Sequence, residues 1–178
     1  MNLRSTDPLL AGAKVLVALL IGFSIFIMAI FAIALGAAVT AARGDLQADL
    51  AAAGAPDFAF WIVALAIAML IGLAWHAYRF LRDLWAIIGS VDAGDPFRPE
   101  NANLLGRMGR TALGAYITAF LIALQAAWLA RFEPKGVLDL DVNIDLGVGG
   151  LLLILTLFIL ARVFRHGAAM RDDLVGTV

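Results

Sequence analysis

Four long stretches of the sequence contain no charged residue, and this feature limits the possible folds more than any other. The runs cover residues 15–39, 58–75, 111–130 and 146–161. About 18 to 20 apolar residues in a helix, each rising 1.5 Å, cross the roughly 30 Å hydrocarbon core of a bilayer. The sequence therefore predicts an all-α membrane protein with four transmembrane helices in an antiparallel bundle.

The composition agrees with this class. Of the 178 residues, 63% are hydrophobic and 15% charged, whereas soluble domains carry about 25% charged residues. We predict one four-helix transmembrane domain over 1–178, with helices near 11–42, 58–88, 99–131 and 146–170. The first run is longer than the apolar core of a cleaved signal peptide, which favours a retained signal anchor.

Charge and cysteine content exclude several kinds of site. The net charge of −1 argues against direct nucleic-acid binding. The absence of cysteine excludes disulfides, thiolate metal sites and cysteine nucleophiles. No G-x-S-x-G, H-E-x-x-H or glycine-rich phosphate loop occurs, so we expect no enzyme, no cofactor and no metal.

Lysine and arginine are distributed unequally between the connecting segments. If the N-terminus, the segment around Ser90 and the C-terminus share one side, only three of the 13 basic residues lie on the other: Arg43, Arg131 and Lys135. Short loops rich in Lys and Arg stay in the cytoplasm. We therefore predict that both termini are cytoplasmic.

The segments on the other side are predicted to be a loop and a strand. Residues 43–57 form the loop, which contains a Gly54-Ala-Pro56 breaker. Residues 138–146 alternate apolar and polar, which indicates an extended segment that pairs with the first loop or lies on the membrane surface. Its D-x-D-x-N-x-D pattern starts like a calcium loop, but Ile144 and Gly150 occupy the positions of the required glycine and glutamate. A solvated strand face is the expected role, and a weak cation site stays open.

Two cytoplasmic segments resemble a known family. They are G-D-P-F-R-P-E-N-A-N-L-L-G-R-M-G at 94–109 and A-R-V-F-R-H-G-A-A-M-R-D-D-L-V-G-T-V at 161–178. Both are similar to the domain-of-unknown-function-2975 family, YoaS-like bacterial membrane proteins of four helices. The more specific parts are G-x-P-F-x-x-x-N, carried by Gly94, Pro96, Phe97 and Asn101, and a closing R-x-D-L, carried by Arg171, Asp173 and Leu174.

The resemblance implies a bacterial inner-membrane location and no assigned enzymatic activity. Its members often occur beside small helix-turn-helix regulators, which implies a cytoplasmic protein partner in addition to the lipid bilayer. The surface expected to bind this partner comprises Asp95, Phe97, Arg98, Asn101, Arg107, Arg165, Arg171 and Asp173, with Gly94 and Pro96 shaping the loop.

Two alternatives remain at this point. Pro96, Phe97 and Asn101 can instead serve only to close the turn between the second and third helices. The whole protein can also be a homo-oligomer that transports or handles small molecules or lipids between its subunits. The uncharged runs contain no ionisable residue, which argues against a transport pathway inside one monomer.

Overall fold

Four long apolar helices dominate the architecture of the chain. The computed structural model describes residues 7–132 and 147–175, with side chains as far as Arg171. Within these residues five helices form, and we number them α1 (Pro8–Val39), α2 (Arg43–Ala52), α3 (Ala59–Asp92), α4 (Pro99–Leu129) and α5 (Val148–Val175). Four of them, α1, α3, α4 and α5 as far as Arg171, are long and apolar enough to cross a membrane. The predicted all-helical class is confirmed, and the four helices indicate a multi-pass membrane protein.

The surface of α1 fits a lipid environment. Large apolar side chains such as Leu19, Phe23 and Phe26 are exposed along it. An apolar surface of this extent is rare on a soluble monomer but is favourable in hydrocarbon. Ser24 donates its hydroxyl to the carbonyl of Leu20 at 2.8 Å, so this polar group is satisfied within the helix.

The first connecting loop contains a helix that the sequence analysis missed. Residues 43–52 form α2, in which Leu46 and Leu50 recur at helical spacing and Asp45 lies in the first turn. The helix ends at Ala52, and Gly54 two residues later has a φ of +75°, which suits glycine. Because the backbone amides of α2 belong to a helix, this segment offers no strand for residues 138–146 to pair with. That predicted strand, with its open cation site, lies outside the described residues.

The chain forms two compact units. The described part of the first consists of residues 7–24, 76–114 and 147–175, and that of the second of residues 25–75 and 115–132. The prediction of a single domain stays a prediction.

The first unit has an apolar core where α4 meets α5. Leu105, Met108, Leu157 and Ala161 are buried there. Two glycines of α4 permit the close approach: a Cβ on Gly106 would lie 3.9 Å from that of Ala161, and one on Gly109 only 3.1 Å from the ring of Phe158. This packing holds the middle of α5 against the first half of α4.

The second unit carries a group of aromatic side chains. The ring centroids of Phe58 and Trp128 lie 5.5 Å apart, and those of Trp128 and Phe132 4.9 Å apart. The guanidinium of Arg43, at the start of α2, lies 5.3 Å from the centroid of Phe60. Aromatic rings of this kind are typical of the boundary between membrane and water.

Candidate interaction surface

The turn between α3 and α4 is closed by its own backbone. The amide of Asp95 donates to the carbonyl of Ser90 at 3.1 Å, and that of Gly94 to Val91 at 3.0 Å. Together with the φ of +77° at Gly94, these bonds form a Schellman motif, which ends a helix on a left-handed residue. The helix therefore runs to Asp92, past its predicted end at 88, and the left-handed Gly94 follows its end.

The buried side chain of Asn101 forms hydrogen bonds across this turn. Its side chain is buried, with 2% of the residue exposed. The amide nitrogen donates to the Ser90 hydroxyl at 2.6 Å and to the Pro96 carbonyl at 2.7 Å. Ser90 in turn donates to the carbonyl of Ile87. A buried amide with both donors in use cannot touch a partner while the turn is closed, so the geometry of Asn101 and Pro96 favours the turn-closing interpretation.

Phe97 lies at the surface of the same turn, against α5. Its ring centroid is 5.3 Å from that of Phe164, and a Cβ on Gly167 would lie 3.3 Å from the ring. The residue nevertheless keeps 46% of its surface exposed. Phe97 is therefore held in place on one face and open to solvent on the other.

Asp95 joins the turn to the end of α5. Its carboxylate accepts hydrogen bonds from Arg171 and, at 3.2 Å, from Arg98 three residues later. The hydrogen bond from Arg171, with a smaller contribution from Arg98, lowers the pKa of Asp95 below its ordinary value of 3.8. All three of these predicted surface residues are thus brought together in one exposed ion-pair group.

Arg107 has a different environment from the one expected for a surface residue. Its Nε donates to Oδ2 of Asp83 at 2.6 Å, and a second guanidinium nitrogen bonds the other carboxylate oxygen. The side chain of Asp83 is only 4% exposed. Such a two-point pair joins α3 to α4 and satisfies a buried charge, which is primarily a structural task.

Asp83 is not among the residues predicted from the sequence, and neither is a second interhelical pair, Lys14 with Asp92. The Nζ of Lys14 lies 2.6 Å from the Asp92 carboxylate, and Lys14 is buried. One signal was present in the sequence, since Lys14 and Asp92 directly flank apolar helical stretches where an unpaired charge is costly. Their pairing across 78 positions was not visible from spacing.

A shallow groove runs along the exposed face of α5 beside Phe97. Its other lining residues include Ile159, Arg162, Val163, Arg165, His166 and Met170. Arg165 therefore lies in the same groove as Phe97, whereas Asn101 and Arg107 do not line it. Asp173 belongs to the last turns of α5, and its side chain is outside those described.

Three acidic side chains around the turn are already paired. Asp83, Asp92 and Asp95 are all engaged by basic side chains. Among the described residues, no group of three or more His, Asp or Glu side chains is placed to hold a metal ion. The described part of the surface presents the exposed ring of Phe97 with cationic side chains nearby.

One comparison with known proteins found a match. The sequence model of a family described as "Protein of unknown function (DUF2975)" matches residues 46–178. The match covers α3, α4 and α5 and every residue of the candidate surface. No curated protein and no solved structure matches the chain significantly.

Proposed function

The chain belongs to the DUF2975 family, and we propose that it is a non-enzymatic membrane protein that binds a cytoplasmic protein through the α3–α4 turn and the end of α5. We assign it to the bacterial inner membrane, with both termini in the cytoplasm. The partner that we propose is a small helix-turn-helix regulator, and the chain itself makes no direct contact with nucleic acid.

The exposure of Phe97 is the observation that carries this proposal. The turn is closed by Gly94, Ser90 and Asn101, and none of their hydrogen bonds needs the Phe97 ring. Phe164 and Gly167 nevertheless hold that ring at the surface. A large aromatic side chain that is already ordered loses little entropy on binding, and such residues dominate the energy of many interfaces.

The charges next to Phe97 would orient a partner. Asp95, Arg98 and Arg171 form one exposed ion-pair group in the same turn. Rim charges of this kind contribute to the choice of partner and to the rate of association more than to affinity. The centre of the proposed surface is therefore Phe97, and the Asp95 group forms its rim.

Photo-crosslinking in cells tests the proposal directly. Phe97 is replaced by p-benzoylphenylalanine, and the same replacement at Val91 is the control. Val91 is also exposed and lies close by on α3, but it does not line the groove. We expect one soluble protein, identified by mass spectrometry as a helix-turn-helix regulator, to crosslink at position 97 and not at position 91.

Other outcomes would contradict the proposal. Equal crosslinking at both positions would indicate nonspecific contact. Crosslinks at position 97 only to lipid or to a second copy of the chain would instead favour the alternative, an oligomer that handles lipids or small molecules.

A further inference from the structure

Three basic side chains lie together on α5 directly after its uncharged run. Arg162, Arg165 and His166 are all exposed, at helical positions i, i+3 and i+4. Side chains at this spacing have Cβ atoms about 5–6 Å apart and can reach one ligand together. Paired guanidinium groups bind phosphate through parallel N–H···O bonds, so this spacing suits a single phosphate group.

The two arginines differ from four other basic residues of the first unit. Lys14, Arg98, Arg107 and Arg171 each bind an aspartate. Arg162 and Arg165 make no ion pair with any residue that the structure describes. Their charges are therefore available to an anion from outside the chain.

The apolar part of the groove indicates which anion this is. Ile159 and Val163 are exposed and line the same groove as Arg162 and His166. Because the uncharged run of α5 ends at Ala161, the basic residues lie at the edge of the apolar segment, where lipid headgroups are found. A phosphorylated protein or a free phosphate would leave Ile159 without a role, whereas the acyl chain of a lipid covers it.

We propose that this groove binds one anionic phospholipid, whose phosphate is held by Arg162, Arg165 and His166 and whose acyl chain lies along Ile159 and Val163. The lipid site adjoins the proposed protein-binding surface, because Phe97 also lines the groove. It gives Arg165 a lipid ligand and leaves the exposed face of Phe97 to contact a protein.

The chain supplies a matched control for a test of this site. Arg79 and Arg82 on α3 have the same i, i+3 spacing, are exposed, and also follow an uncharged run, 58–75. They do not line this groove. Arg162→Gln with Arg165→Gln and Arg79→Gln with Arg82→Gln therefore make equal changes in charge at two similar places.

The experiment measures lipid retention by the full-length protein. Protein purified in detergent is titrated with phosphatidylglycerol or phosphatidylcholine, and bound lipid is counted by native mass spectrometry. We expect the wild-type protein to retain one phosphatidylglycerol in preference to phosphatidylcholine. Loss of two juxtamembrane arginines should weaken phosphatidylglycerol binding about tenfold or more in the Arg162 and Arg165 variant. The Arg79 and Arg82 variant should bind like the wild type.

Three results would overturn the inference. Equal weakening of phosphatidylglycerol binding in both double variants would mean that any interfacial arginine pair can bind the lipid. If the wild-type protein retains phosphatidylcholine as well as phosphatidylglycerol, the groove does not select an anionic headgroup. This measurement uses only the wild-type protein, so it does not depend on the folding of a variant. Displacement of phosphatidylglycerol by millimolar inorganic phosphate would identify a free phosphate as the ligand. Thermal unfolding of both variants in the same detergent checks that each is folded.

Discussion

The amide of Asn101 donates to the buried hydroxyl of Ser90 on α3 and to the partly buried carbonyl of Pro96 in the following turn. Replacement by alanine removes two donors and leaves these acceptors unsatisfied. We therefore expect Asn101→Ala to lower the free energy of unfolding by about 1–3 kcal/mol. Thermal unfolding in detergent measures this, with Asn103→Ala, at an exposed position of the same helix, as the control. Equal effects of the two changes would show that the Asn101 bonds contribute nothing specific.

Asp95 makes stability depend on pH in a defined direction. Because Arg171 and then Arg98 lower its folded pKa below the ordinary value of 3.8, its contribution is present above that value. It is lost as the pH falls through the lowered pKa. The melting temperature of the wild type should exceed that of Asp95→Asn at neutral pH, and the difference should close below pH 3.8.

Solvent exposure sets the size of that pH effect. The Asp95 side chain is 28% exposed, so salt screens its ion pairs and the difference in melting temperature should shrink at high ionic strength. Asp49→Asn on α2, also at an exposed position, controls for the loss of any acidic group. A difference that persists unchanged at low pH would mean that Asp95 acts without its charge.

Individual residues of the site could be predicted where local sequence determines their role. Gly94 was expected to shape the loop, and a left-handed glycine after a helix is a local pattern. The partner of Arg107 could not be predicted in this way, because Asp83 lies 24 positions away on another helix. Which acid faces Arg107 depends on the rotation of α3 against α4, and that is decided by packing.

At the scale of elements, the apolar helices were predictable and their ends were not. The sequence predicts that the second transmembrane helix ends near residue 88, but Ser90 donates to the carbonyl of Ile87 and the helix continues to Asp92. The short helix α2 was missed because its sequence is polar and only Leu46 and Leu50 mark its period. Transmembrane helices can be recognised from composition alone, whereas the formation of a short polar helix depends on its surroundings.

Contact between α4 and α5 depends on the absence of a side chain at Gly109. A Cβ there would lie 3.1–3.3 Å from three ring carbons of Phe158. We expect Gly109→Ala to destabilise the protein by about 1–3 kcal/mol through overpacking. Gly89→Ala is the control, because a Cβ at Gly89 meets nothing within 4 Å and alanine favours a helix by about 0.5–1 kcal/mol.

A second substitution separates overpacking from other causes. If the Phe158 ring is the obstacle, Phe158→Leu should restore part of the stability lost in Gly109→Ala. Thermal unfolding of the two single variants and the double variant gives the coupling between the positions. Additive effects would show that Phe158 is not what Gly109 accommodates.

At the scale of the whole molecule, two ion pairs bear on the orientation in the membrane. Lys14 lies before the first uncharged run and binds Asp92, which follows the second; Arg171 lies after the fourth run and binds Asp95 in the α3–α4 turn. Charged groups in contact lie on the same side of a bilayer. These contacts support the prediction that the N-terminus, the turn and the C-terminus share one side.

The distribution of basic residues predicts that this side is the cytoplasm. Of the 13 Lys and Arg residues, only Arg43, Arg131 and Lys135 would have to be translocated, and the bias is strongest in short segments. A green fluorescent protein fused after Val178 should therefore fluoresce, and alkaline phosphatase at the same position should be inactive. Phosphatase inserted after Arg131 should be active, because that position is predicted to face the other compartment. Active phosphatase after Val178 would reverse the orientation, and it would move Phe97 and the α5 groove away from any cytoplasmic partner.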